Sequence, residues 1–157
     1  MESRIQKAVA LFKEGYNCSQ AVVAAFADLY ELDTDLALRL SASFGGGIGR
    51  MRQTCGAACG MFILAGLEKG STQGADPAGK KANYDLVQNL ANSFKERHGS
   101  LICAELLALP KADTHQDTTP EARTQTYYTR RPCAAMVEES ARIYTEYLQT
   151  KATNNTL

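Results

Sequence analysis

Apolar residues in this chain recur three and four positions apart almost from end to end, a spacing that favours helices over any sheet. Ile5, Ala8, Val9 and Phe12 predict a first amphipathic helix from about Ser3 to Glu14, stopped by Gly15. Asn17 followed by Gln20 reads as a capping box for a second helix, with Ala21, Val22, Ala25, Phe26 and Leu29 as its buried stripe. A third helix is expected from Asp33 or Thr34, carrying Leu36, Leu40 and Phe44 inward. Thr54 is the expected cap of a fourth, which runs to about Lys69 and stops at Gly70. Pro77 suits the first turn of a fifth, with Tyr84, Val87, Leu90, Ala91 and Phe94 inside and His98-Gly99 at its end. Ser100 is expected to cap a short sixth, and Pro132 to open a seventh through Leu148. Between them, Lys111 to Arg131 is polar and threonine-rich and reads as a long surface connection. No strand pair, repeat or domain boundary interrupts the pattern. The expected fold is all-α: a single-domain bundle of about six or seven helices over residues 1–149, with a frayed tail from Thr150.

One stretch breaks the rhythm. Gly45-Gly46-Gly47-Ile48-Gly49 puts four glycines in five residues, which implies positive φ angles or close backbone approach. The fourth helix is also unusually small-sided, with Gly56, Ala57, Ala58, Gly60, Ala65 and Gly66. Mid-helix glycine costs about 1 kcal/mol relative to alanine, so tight packing against another backbone is the expected compensation.

Composition narrows the function. The 157 residues carry 17 Lys+Arg and 17 Asp+Glu, a net charge of zero, which gives no electrostatic reason for binding nucleic acid. The longest strongly apolar run, Gly60 to Leu67, is far short of the roughly 20 residues of a membrane span, so no membrane insertion is expected. Nor does Met1-Glu2-Ser3-Arg4-Ile5-Gln6 open an apolar signal core, and a soluble, cytoplasmic protein is the expectation. The five cysteines, Cys18, Cys55, Cys59, Cys103 and Cys133, are too sparse and of the wrong parity for a disulfide scaffold.

Four of them fall in the opening turn of a predicted helix: Cys18, Cys55, Cys103 and Cys133. Such ends carry unpaired N–H groups and the positive pole of the helix dipole, both of which favour thiolate. Four of these ends facing one another would make a pocket for sulfur anions. The competing reading is packing, because free cysteine is commonly buried as a small hydrophobe. Cys59 lies one turn beyond Cys55, on the same face, and serves equally as a fifth sulfur ligand, a resolving thiol or a small core residue.

Asn17-Cys18-Ser19-Gln20-Ala21-Val22, Gly45 to Met51, and Cys55-Gly56-Ala57-Ala58-Cys59-Gly60 resemble the C_GCAxxG_C_C family of redox-active proteins. Cys103, followed by Ala104-Glu105-Leu106-Leu107, and then Cys133 match in order, so the resemblance spans roughly residues 3 to 148. That family is small, helical, bacterial and archaeal, and has no established reaction. The chain also looks like the non-haem portion of split-Soret cytochromes, for which a cysteine-bound iron or iron–sulfur centre has been proposed. The resemblance implies that Cys18, Cys55, Cys103 and Cys133 form one site. Cys59 stands at a variable position of the motif, so no role passes to it. Relatives often have a further cysteine after the Glu-Leu-Leu segment, where this chain has Leu109-Pro110.

Four thiolates suit zinc or an iron–sulfur cluster. Zinc ligands usually come in close pairs, and only Cys55 and Cys59 make one, so scattered single cysteines favour a cluster serving electron transfer. Gly45, Gly46, Gly47, Gly49, Arg50 and Gly56 are its candidate contacts, with backbone N–H groups of the glycine-rich loop and helix ends aimed at sulfur. A plain turn is the simpler account of that loop. The alternative function is thiol–disulfide exchange without a cofactor, with Cys55 attacking beside Arg50 and Arg52, and Cys18 or Cys59 resolving. A structural zinc module comes third, with Tyr127 and Tyr128 as a partner surface. Arg50, Arg52, Arg130 and Arg131 read first as surface charge, His98 as a helix-end residue and His115 as solvent-exposed. A redox partner is implied without identification, and association into a homo-oligomer stays open.

Overall fold

The computed structural model describes residues 1–110 and 117–154. Eight α-helices follow one another: α1 (Glu2–Lys13), α2 (Cys18–Phe26), α3 (Thr34–Ser41), α4 (Gly56–Lys69), α5 (Pro77–His98), α6 (Cys103–Leu106), α7 (Gln125–Arg130) and α8 (Cys133–Asn154). Short 3-10 turns follow α2 and α3. Among the described residues the only β contact is an isolated antiparallel bridge between Thr54 and Ile102. The all-α expectation holds.

Helix α2 is the centre of the packing. It touches α1, α3, α4 and α8, and Ser19, Ala21, Val22, Val23, Ala24, Ala25 and Phe26 are all buried. A helix that is apolar on every side has nowhere to go but inside. Its start is fixed by the expected capping box: Asn17 accepts from the Gln20 N–H at 3.0 Å, and the Gln20 side chain accepts from the Asn17 N–H at 3.0 Å. The same two side chains donate to the carbonyls of Ala42 and Leu38, tying the head of α2 to the tail of α3. Leu29, by contrast, is 43% exposed. The chain tightens from about 3.6 to about 3.0 residues per turn after Phe26, which rotates Leu29 outward.

The small residues of α4 do what their cost implies, at two of three glycines. A β-carbon on Gly60 would lie 2.8 Å from the Val22 Cβ, and one on Gly56 would lie 2.6 Å from the Cys18 sulfur. Around Gly66 nothing lies within 4 Å, so close packing is not its reason.

Several local expectations are corrected. Leu36 and Tyr84 are exposed; the narrow contacts of α3 and α5 bury Ala37 with Ser41, and Leu86 with Leu90 and Phe94. Cys55, not Thr54, occupies the N-cap position of α4, because Thr54 is held in the bridge to Ile102. Ile102 rather than Ser100 precedes α6; the Ser100 hydroxyl accepts from the Ile102 N–H at 2.9 Å. Part of the presumed surface connection is helix α7, capped by Thr124, which accepts from the Tyr127 N–H at 3.2 Å. Helix α8 runs on past Thr150 to Asn154, and Lys151 reaches the buried carboxylate of Glu68. His115 lies outside the described residues.

A cysteine-lined cavity at four helix starts

The glycine-rich stretch builds one wall of the site. Five consecutive residues have positive φ: Gly46 65°, Gly47 69°, Ile48 64°, Gly49 56° and Arg50 63°. Left-handed backbone costs a residue with a β-carbon about 1–2 kcal/mol, so three glycines lighten a turn that would otherwise be prohibitive. The loop is closed by its own hydrogen bonds, including Gly49 N–H to Ser43 at 2.7 Å and Gln53 N–H to Gly47 at 2.9 Å. The N–H groups from Ile48 to Gln53 all go to backbone carbonyls, which takes Ile48 and Gly49 out of the loop's expected N–H contacts. The glycines also supply absent side chains. A β-carbon on Gly47 would sit 2.5 Å from the Cβ of Cys103, and one on Gly45 would strike Asn17 at 2.6 Å.

The segment after the loop then clamps two cysteines together. Cys55 N–H donates to the Leu101 carbonyl at 2.7 Å, and Cys103 N–H to the Gln53 carbonyl at 2.6 Å. These bonds flank the Thr54–Ile102 bridge and fix α4 against α6 despite their separation in sequence. The packing of Gly56 on the Cys18 sulfur brings in α2, and α8 contributes Cys133 at its first residue. Cys18, Cys55, Cys103 and Cys133 line one cavity of about 440 Å³. Gly45, Gly46, Gly49, Arg50 and Gly56 line it as well, while Gly47 lies buried behind Cys103. Cys59 is not in the lining; it is 6% exposed, its thiol donating to the Thr54 carbonyl at 3.8 Å. All five cysteines are free.

The electrostatics differ from the expected acidic thiols. Burial, reinforced by Cys18, pushes the Cys55 thiol well above its ordinary value, although the N–H groups of Ala58 and Ala57 favour its thiolate. Burial also raises Cys59 and Cys133, each to about 11, with Cys18 and Cys103 adding to the effect. Cys103 is raised less simply: desolvation acts first, and Arg52 opposes it by hydrogen bond and charge. Cys18 is the common neighbour, since a charge there raises all four of the others. A dry environment has overridden the helix ends.

Arginines complete the lining, and the reading of them as surface charge fails for three of four. Arg52 is 8% exposed and its Nη1 lies 3.9 Å from the Cys103 sulfur. Arg50 and Arg131 also face the cavity; Arg130 is the exposed one. Sequence reasoning missed Arg123. Its guanidinium lies over the Phe12 ring (4.4 Å) and the Tyr127 ring (4.8 Å), and donates to the carbonyls of Phe12 and Tyr16. Tyr127 and Tyr128 are both drawn into this packing. Tyr127 is buried, and Tyr128 packs edge-on against Phe12 and donates to the Lys13 carbonyl. His98 ends α5 as expected, against the Phe94 ring, and burial lowers its pKa.

Among the described residues no three Cys, His, Asp or Glu side chains stand close enough to grip a single metal ion. The sulfurs instead ring a cavity, each presented by a different helix. Fold and site thus define a helical protein whose reactive side chains are cysteines brought from separate parts of the chain around one cavity. The chain belongs to the family described as "Putative redox-active protein (C_GCAxxG_C_C)", whose profile it matches over residues 16–147. Searches of curated proteins and of solved structures give no match. No helix among the described residues is long and apolar enough to cross a membrane.

Proposed function

We propose that this redox-active protein is an electron carrier whose Cys18, Cys55, Cys103 and Cys133 hold an iron–sulfur cluster in the shared cavity. The observation that carries this reading is four single cysteines, brought from different parts of the chain, around one cavity. A zinc ion draws its donors to about 2.3 Å from one point, whereas a cluster spreads its thiolates over several metal atoms. When bound, a cluster supplies a one-electron couple. Burial keeps water from Cys55 and Cys103, and Arg52 places positive charge on Cys103, which favours the more reduced, more negative state. Thiols this basic must lose their protons to metal, so loading releases protons and is favoured by higher pH.

Protein purified without oxygen, or reconstituted with iron and sulfide, is expected to hold both elements and to absorb in the visible. Cys18→Ser and Cys103→Ser should lose the absorbance, and Cys59→Ser should keep it. Zinc alone in the purified chain, or full iron and sulfide in Cys18→Ser, would overturn the reading. A second reading rests on the Arg52 contact: should the thiols act without metal, Cys103 rather than Cys55 is the attacking sulfur.

A further inference from the structure

The cavity holds more positive charge than its walls neutralise. Arg50, Arg52, Arg123 and Arg131 line it, and Glu121 is the carboxylate among the lining residues. Glu121 is already shared between Arg130 and Arg131. Asp117 stands nearby; its backbone carbonyl accepts from the Arg50 Nε at 2.7 Å and its carboxylate from the Thr119 N–H at 2.9 Å. Arg123 is fixed by two backbone carbonyls, which orient it without cancelling its charge. Arg52 is the extreme case: more than nine-tenths buried, with the Cys103 sulfur as its hydrogen-bond partner and no ion pair among the described residues. Arg50 feels both signs: burial and then Arg52 lower its pKa, while Asp117 and Glu121 act against them.

A buried cation without a counter-ion is costly, and guanidinium presents paired N–H donors that match two oxygens of one anionic group. We infer that the cavity binds a small oxygen-bearing anion, a carboxylate or a sulfate-like oxyanion, held by Arg52 together with Arg50 and Arg123. A volume of about 440 Å³ falls in the range of small-ligand pockets, about 300–1,000 Å³. The anion would lie against Cys103, at the point where a redox site would meet a small charged substrate or effector.

The test uses the reduced, metal-free full chain, so it is independent of whether a cluster can be loaded. Calorimetric titrations with sodium sulfate and with sodium acetate, at ionic strength held constant by chloride, separate the two anion types. We expect saturable one-site binding of at least one of them, with Kd of about 1 mM or tighter. Arg52→Gln should weaken it by about tenfold or more, and Arg52→Lys should restore only part, because the paired donors are lost. Arg50→Gln should weaken it as well, while the exposed Arg39→Gln leaves it unchanged. Circular dichroism confirms that each variant is folded. Absence of saturable binding for both anions, or equal binding by folded wild type, Arg52→Gln and Arg50→Gln, would overturn the inference. A chain that loads iron but binds neither anion defeats this inference alone; one that binds anion but never takes iron defeats only the cluster.

Discussion

Alanine at each glycine of α4 separates two opposing effects within a single helix. Gly66 and Gly60 lie inside α4, so each replacement gains about 1 kcal/mol of helix propensity, whereas Gly56 is the first residue of the helix and gains little. Their surroundings differ. At Gly66 the new methyl meets nothing within 4 Å, and the gain stands unopposed. At Gly60 it would lie 2.8 Å from the Cβ of Val22, a β-branched residue with little freedom to turn aside. At Gly56 it would meet both the Cys18 sulfur and the Phe44 carbonyl at 2.6 Å, and a backbone oxygen cannot step away. Overpacking of this kind costs about 1–3 kcal/mol, and we place Gly60 mid-range and Gly56 at the top. The net changes are then about 1 kcal/mol stabilising for Gly66→Ala, about 1 destabilising for Gly60→Ala and about 3 for Gly56→Ala. At about 2–4 °C per kcal/mol for a chain of this size, thermal unfolding should shift up by about 2–4 °C, down by about 2–4 °C and down by about 6–12 °C. A Gly56→Ala chain as stable as Gly66→Ala would refute the close seating of α4 on Cys18, and with it the geometry of the cavity.

Gly47→Ala should destabilise by more than its size suggests, about 2–4 kcal/mol, because a positive φ and a 2.5 Å approach to Cys103 act together; urea unfolding measures it. The reduced, metal-free chain should lose stability at alkaline pH. Cys59 and Cys133 titrate near 11 when folded against an ordinary 9.0, so the folded state holds protons that the unfolded state has released. Their contribution is whole below about pH 9 and declines as pH rises toward about 11; urea midpoints that rise over that interval would contradict the burial of these thiols. Tyr144→Phe removes a hydroxyl that donates to the Leu64 carbonyl at 3.1 Å and contacts the Tyr30 hydroxyl, and should cost about 1–2 kcal/mol in the same assay.

Much of the scaffold was legible in the chain. The capping box Asn17/Gln20, the Asp33 cap, Pro77 at the head of α5 and Gly99 at its end are local instructions written within a few residues. Periodicity found the core helices but misjudged Leu29, Leu36 and Tyr84, because apolar spacing shows which face is oily and not whether a neighbour covers it. Helix α7 escaped notice for a related reason. Its six residues carry little apolar pattern, and their order comes from Tyr127 packing under Arg123 and Arg131.

The candidate site divides along the same line. Four cysteines at or beside helix starts, with a glycine-rich turn adjoining them, follow from local backbone preferences and can be read from the chain alone. Long-range packing is what gathers these starts at one cavity, seats Cys103 and Cys18 against Gly47 and Gly56, and leaves Cys59 outside the lining. It also reversed the expected acidity of Cys55, Cys103 and Cys133. A helix end acts over a single turn of backbone, whereas desolvation depends on everything the rest of the chain folds over the sulfur.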